Sequence, residues 1–193
     1  MKLVIYSPCI ENPSVTYKGP ESENYETVKY LYQRFAEIKA KYKDVIFRPY
    51  PCPEFLLTLS APRVPCSKEM YEALGMKKIA IIITQWIKKL VEELKPEKVI
   101  IVGKKYSPTC GVTGTYKLKD KTLLEKLLPY AVNQDLNRSK EIKGNMQRVE
   151  GESGVLMEIL KKELPYAMFV DIDGSSIETI ERDLSKLEKL LES

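Results

Sequence analysis

Short apolar runs alternate with helical patterns along the chain. Four runs have the length and the β-branched content of buried strands: Leu3–Tyr6, Val45–Phe47, Val99–Val102 and Ala167–Ile172. Apolar residues at steps of three and four predict helices over residues 25–42, 82–94, 123–128, 155–164 and 177–191, the last capped by Ser175 or Ser176. This alternation predicts one α/β domain over residues 1–193, a three-layer Rossmann-like fold whose mostly parallel sheet has about four to five strands.

Two long stretches show neither pattern. Five prolines lie between positions 49 and 65, which predicts an irregular but stiff connection, because proline fixes φ and lacks an amide donor. Residues 129–154 are rich in polar residues and are typical either of a lid or mobile loop or of a solvated loop. The polar side chains there that could contact a ligand are Asn133, Gln134, Arg138, Asn145 and Arg148.

The composition is that of a soluble protein and excludes several classes of site. Hydrophobic residues make up 44% and charged residues 30%, and we expect a cytoplasmic protein because neither a signal peptide nor a membrane span is visible. The net charge is +4 with basic residues interleaved with Glu, which argues against duplex nucleic-acid binding. Histidine is absent, which excludes His-based catalysis and zinc sites. The abundance of Lys, Glu and Ile resembles heat-adapted proteins, and the oligomeric state is left open.

Three cysteines each follow a predicted strand. Cys9, Cys52 and Cys110 come after the first, second and third strands, and a proline stands one or two residues before each of them. The carboxyl ends of parallel strands meet at one edge of a sheet, so we expect the loops 7–19, 48–66 and 103–116 to bring the three thiols together. Three soft donors without a fourth partner are typical of a metal or iron–sulfur centre that keeps one position free.

The cysteine pattern also permits roles that involve no metal. A single cysteine is often a small buried apolar residue, and this is the first interpretation for the fourth one, Cys66, although it could also be a thiol near the site. The paired Cys-x₂₋₄-Cys spacing of structural zinc and of ferredoxins is missing. A metal-free nucleotide-binding domain with incidental thiols would also fit the pattern.

Several segments around these cysteines resemble the 2-thiouracil desulfurase family and its thiouridine-desulfidase relatives. They are Ser7-Pro8-Cys9, Cys52-Pro53-Glu54, Pro62-Arg63-Val64-Pro65 and Lys105-Tyr106-Ser107-Pro108-Thr109-Cys110-Gly111. The resemblance covers roughly residues 1–116, and the last segment is the most distinctive. The chain departs from the family in having Ile10-Glu11-Asn12 after Cys9 and Phe55-Leu56-Leu57 after Glu54, which alters the wall of the pocket.

The resemblance implies a 4Fe–4S cluster bound by Cys9, Cys52 and Cys110, with Glu54 as the acid–base carboxylate and Ser107 as the active-site serine. It implies a hydrolytic, non-redox desulfidase whose substrate is a small thiolated nucleobase or nucleotide. Ser107 could equally be a turn hydroxyl, and Arg63 could bind a substrate phosphate or form a structural ion pair. The alternative function is a non-catalytic sulfur carrier that serves tRNA thiolation.

Overall fold

The fold places a parallel sheet between two layers of helices. The computed structural model describes residues 1–193 and contains six strands and eight helices: β1 (Lys2–Tyr6), α1 (Glu26–Lys41), β2 (Val45–Pro49), α2 (Pro53–Thr58), α3 (Lys68–Ala73), α4 (Met76–Leu94), β3 (Lys98–Lys104), β4 (Gly114–Leu118), α5 (Leu124–Val132), α6 (Ser139–Gly144), β5 (Met146–Glu150), α7 (Val155–Glu163), β6 (Met168–Ile172) and α8 (Ile177–Glu192). The main sheet has the order β2-β1-β3-β6 and all its pairs are parallel. The prediction of a mixed α/β, Rossmann-like fold is therefore confirmed.

Side chains alternate across the sheet because successive residues of a strand point to opposite faces. On β1, Leu3 and Ile5 join a core of 24 buried residues that also includes apolar side chains of α3, α4, α5 and α7. Val4 and Tyr6 join a second core of 16 buried residues beneath α1 and α8. The two cores account for the continuous apolar runs of the central strands, which are covered on both faces.

The four predicted strands and five predicted helices are all present, with ends that differ by a few residues. The last helix begins at the predicted serine: the Ser176 side chain accepts a hydrogen bond from the Thr179 amide in a capping box. The short helices α2 and α3 were not predicted. Both are only six residues long, too short to show a helical repeat.

The stretch 129–154 contains regular secondary structure, although no helix or strand was predicted there beyond the end of the third helix. It contains the end of α5, the helix α6 and the strand β5, which pairs antiparallel with β4 in a separate two-stranded sheet. Only the role of this stretch as a lid stays a prediction. No helix of the protein is both long enough and apolar enough to cross a membrane.

Candidate functional site

The strand ends bring the cysteine loops to one edge of the sheet. Tyr6 pairs in register with Pro49 on one side and with Val102 on the other, so β1, β2 and β3 end at nearly the same level. Cys9 lies three residues beyond Tyr6, and Cys52 lies three residues beyond Pro49. The loop that carries Cys110 turns back onto β3, where the Cys110 carbonyl accepts a hydrogen bond of 3.2 Å from the Lys104 amide.

Close backbone contacts fix the loop of Cys110. A Cβ atom at Gly103 would lie 2.2 Å from the carbonyl oxygen of Cys110, and one at Gly154 would lie 2.5 Å from the carbonyl carbon of Thr109. Because glycine has no Cβ atom, the backbone at Gly103 and at Gly154 can approach the loop of Cys110 this closely. Asp171 at the end of β6 adds an anchor, since its carboxylate accepts the amides of Val112 (2.8 Å) and Thr113 (2.6 Å).

Two of the three thiols line a cavity of about 330 Å³ at this edge. Cys9 and Cys52 share the cavity with Glu54, Ser107 and Arg63, whereas Cys110 is buried and does not line it. All three thiols are free of disulfides. Burial raises the pKa of Cys52 to about 12, and the negative charges of Glu54 and Cys9 act in the same direction. Burial and the charge of Cys52 also raise the pKa of Cys110.

The three thiols have the chemistry of a metal site, although no three Cys, Asp or Glu side chains are arranged to hold one metal ion. The negative charge of one thiolate raises the pKa of the next, and a cationic metal centre between them would remove this effect. The hydroxyl of Tyr50 is buried beside Cys110 and Ser7 without a hydrogen-bond partner. Thiols are the usual ligands of iron–sulfur clusters, and the donor set fits such a group by its chemistry.

Glu54 is held by hydrogen bonds to both of its carboxylate oxygens. Arg63 donates to Oε2 from Nη2 at 2.7 Å, in an ion pair whose side chains are 2% and 12% exposed. Thr109 donates to Oε1 at 2.8 Å, and Ser107 donates to the same oxygen at 3.3 Å. The carboxylate is thereby oriented at the cavity wall and kept next to a cation.

Ser107 is a turn hydroxyl that also lines the cavity, and its role as the active-site serine stays a prediction. Its Oγ accepts the backbone amides of Thr109 at 3.3 Å and of Cys110 at 3.0 Å, as a turn hydroxyl does. Because both lone pairs of the oxygen are used in this way, its hydrogen is free to be donated to Glu54. Ser107 therefore stabilises the cysteine loop and lines the cavity at the same time.

The side chains of Arg63 and Cys66 are both almost fully buried. The Arg63 guanidinium also donates to the carbonyl oxygens of Val15 at 3.0 Å and of Thr16 at 3.4 Å. Its ion pair with Glu54 is the structural role that the sequence left open. Phosphate binding by Arg63 stays a prediction. Cys66 is 3% exposed in the larger core, and it borders a second cavity of about 190 Å³ that Glu54 also lines.

The outer part of the main cavity is mostly basic and aromatic, although the carboxylate of Asp173 also lines it. Lysine and arginine side chains stand there next to tyrosine rings: Lys18, Lys104, Lys105, Arg148, Tyr17, Tyr25, Tyr106 and Tyr116. Lys105 is paired with Glu150, whereas Lys18 lies 3.6 Å from the centre of the Tyr25 ring and Lys104 has no carboxylate partner. Of the five polar residues predicted as ligand contacts, only Arg148 reaches this cavity. Of the four tyrosines, Tyr106 lies in a segment that carries the family resemblance, and the sequence did not indicate the other three as site residues.

Comparison with known protein families gives one finding. The model of a family described as "Putative 2-thiouracil desulfurase" matches residues 1–192, nearly the whole chain. No curated protein matches the chain. The match extends well beyond the segments at residues 1–116 that carry the resemblance in the sequence.

Proposed function

Since this chain belongs to the 2-thiouracil desulfurase family, we propose that it removes sulfur from a thiolated pyrimidine by a hydrolytic reaction that depends on an iron–sulfur cluster. The substrate would be thiouracil, thiouridine or thiouridine monophosphate. In the reaction a C=S group becomes C=O, water supplies the oxygen and sulfide leaves. The observation that carries the proposal is the cavity in which two cysteines face the same space as Glu54 and Ser107.

The cofactor we propose is a 4Fe–4S cluster bound by Cys9, Cys52 and Cys110. It would supply an iron without a cysteine ligand, and such a thiophilic Lewis acid makes sulfur a better leaving group. Support comes from the three strand-end thiols and from the unpartnered Tyr50 hydroxyl beside them.

We assign Glu54 the role of general base, because it lines the cavity and hydrogen bonds to both oxygens orient its carboxylate. As water attacks the carbon of the C=S group, a C–O bond forms, and the carboxylate of Glu54 takes the proton that the water loses. The protonated Glu54 gives this proton to the sulfur. As the C–S bond breaks, the carboxylate takes the proton of the new hydroxyl group, the C=O bond forms, the sulfur leaves as hydrosulfide, and Glu54 releases the proton to solvent. Arg63 and Thr109 keep the carboxylate in place, because each oxygen of Glu54 is bonded to one of them. Ser107 can pass a proton between the cavity and the carboxylate, at 3.3 Å.

The outer cavity favours a substrate with a phosphate group over the free base. Lys18 and Lys104 line it without carboxylate partners, so their charges are available for an anion. The tyrosine rings offer flat apolar surfaces on which a pyrimidine can stack. We therefore expect thiouridine monophosphate to have a higher kcat/KM than thiouracil.

The proposal is tested by measuring sulfide release from thiouracil, thiouridine and thiouridine monophosphate with anaerobically reconstituted protein. We expect sulfide and the corresponding oxo-pyrimidine in equal amounts, with no added reductant or oxidant. A coloured protein that turns over none of the three compounds would contradict the desulfidase function. That result would favour the sulfur-carrier alternative.

A further inference from the structure

Helix α4 exposes an apolar face to solvent. Its inner face is buried in the larger core through residues such as Ala80, Ile83 and Ile87. On its outer side, Ile81 is 46% exposed, Ile82 is 64% exposed and Trp86 is 40% exposed. The outer side of a surface helix is normally polar, and a cluster of large apolar side chains there marks an interaction surface.

Helix α2 packs against α4 and also carries exposed apolar side chains. Phe55, Leu56 and Leu59 of this neighbouring segment are also exposed. Leu59 follows the last residue of α2 with φ of 50°, in the left-handed region that favours glycine or asparagine, and its side chain is 76% exposed. A leucine is unfavourable there in an isolated molecule, both in backbone conformation and in solvation. Burial against a partner would remove the second cost.

Charged residues frame this face in a self-complementary order. Lys78, Gln85 and Glu92 follow one another at seven-residue steps on the outer side of α4, so the lysine and the glutamate lie equally far from the glutamine, about 10 Å along the axis. The ion pairs of α4 within the chain use Lys77, Lys88 and Lys89. Lys78 and Glu92 form no ion pair within the chain, although the charge of Glu92 helps to raise the pKa of Lys88.

We propose that the apolar face of α2 and α4 is the interface of a two-fold symmetric dimer of this chain. The α4 helices of the two copies pack antiparallel, with the two-fold axis close to Gln85. In this arrangement Lys78 faces Glu92 of the partner subunit at both ends of the helix pair, and Ile82 and Trp86 are buried between them. A parallel arrangement would place like charges against each other, which is unfavourable. An isologous interface needs this kind of self-complementarity.

Sedimentation velocity of the purified protein tests the interface. We expect a species of twice the chain mass of 22.2 kDa, and we expect Ile82→Glu or Trp86→Glu to weaken the dimer at least about tenfold by burying a charge. Val132→Glu is the matched control, since Val132 is 61% exposed on α5, a helix that is not part of the proposed interface, and it should leave the dimer intact. Wild-type protein that is monomeric at about 100 µM would overturn the proposal. So would a dimer that Ile82→Glu does not weaken.

Charge reversal tests the antiparallel packing independently of the apolar contacts. Lys78→Glu alone should weaken the dimer, because it places two carboxylates against each other at each end of the helix pair. The double variant Lys78→Glu/Glu92→Lys restores opposite charges at both ends and should restore the dimer. A double variant that associates no better than the single one would overturn the antiparallel arrangement. Both variants should retain the thermal unfolding midpoint of the dissociated wild-type chain, because both residues are exposed.

Discussion

Replacing Cys9, Cys52 or Cys110 with alanine is expected to abolish the brown chromophore of the reconstituted protein. Each thiol follows a different strand of the sheet, so no neighbouring cysteine can substitute for a missing ligand. Cys110→Ala is the most informative of the three, because Cys110 is buried and, unlike Cys9 and Cys52, does not line the cavity. The measurement is the visible absorption spectrum after anaerobic reconstitution, together with the iron content.

Cys66→Ala provides the control for this series. It makes the same chemical change at a buried thiol, but Cys66 belongs to the hydrophobic core beneath α3 and α4. We expect a full chromophore and a small loss of stability from the truncated side chain. Loss of the chromophore in this variant as well, or its persistence in Cys110→Ala, would contradict the assignment of the ligands.

Glu54→Gln is expected to lower kcat about 10²–10⁴-fold, the usual contribution of a general base, while the chromophore is retained. The amide keeps the shape of the carboxylate, and its oxygen can still accept a hydrogen bond from Arg63 or Thr109. The substitution also leaves the buried Arg63 guanidinium without a counter-charge, so some loss of stability is expected. Activity is therefore measured below the unfolding midpoint of the variant and per mole of cluster.

Glu158→Gln is the matched control for the effect on stability. Glu158 pairs with Lys68, whose side chain is only 8% exposed, so this variant also leaves a buried cation unpaired, but outside the cavity. We expect it to lower the unfolding midpoint and to keep the turnover number. A Glu54→Gln protein that is coloured and as active as Glu158→Gln would exclude Glu54 as the base.

The parts of the fold that the sequence could predict are those with long or strong patterns. The four strands of the main sheet are short apolar runs with sharp ends, and a helix such as α8 shows its repeat over 16 residues. The position of the cysteines follows directly from the strands, since the carboxyl end of each parallel strand lies at the same edge of the sheet. No similar pattern marked β4 and β5, whose exposed and half-buried residues lack a clear alternation.

The partners of the site residues could not be predicted because they depend on contacts between distant segments. Glu54 meets Thr109 from a loop 55 residues away, and the Arg63 guanidinium meets the carbonyl of Val15. Both contacts are set by how the loops fold over the sheet edge, which spacing in the sequence does not encode. The tyrosines that line the outer part of the cavity could not be predicted for the same reason, since Tyr25 precedes α1 and Tyr116 lies in β4.

The central claim is that three thiols hold one cluster and leave an iron free to meet the substrate. Mössbauer spectroscopy of protein reconstituted with ⁵⁷Fe, recorded with and without a thiolated pyrimidine, tests it most directly. The account predicts about four irons per chain, one of which changes its signal when the compound is added. A protein that takes up no cluster, or a cluster in which all the irons are unaffected by the compound, would contradict it.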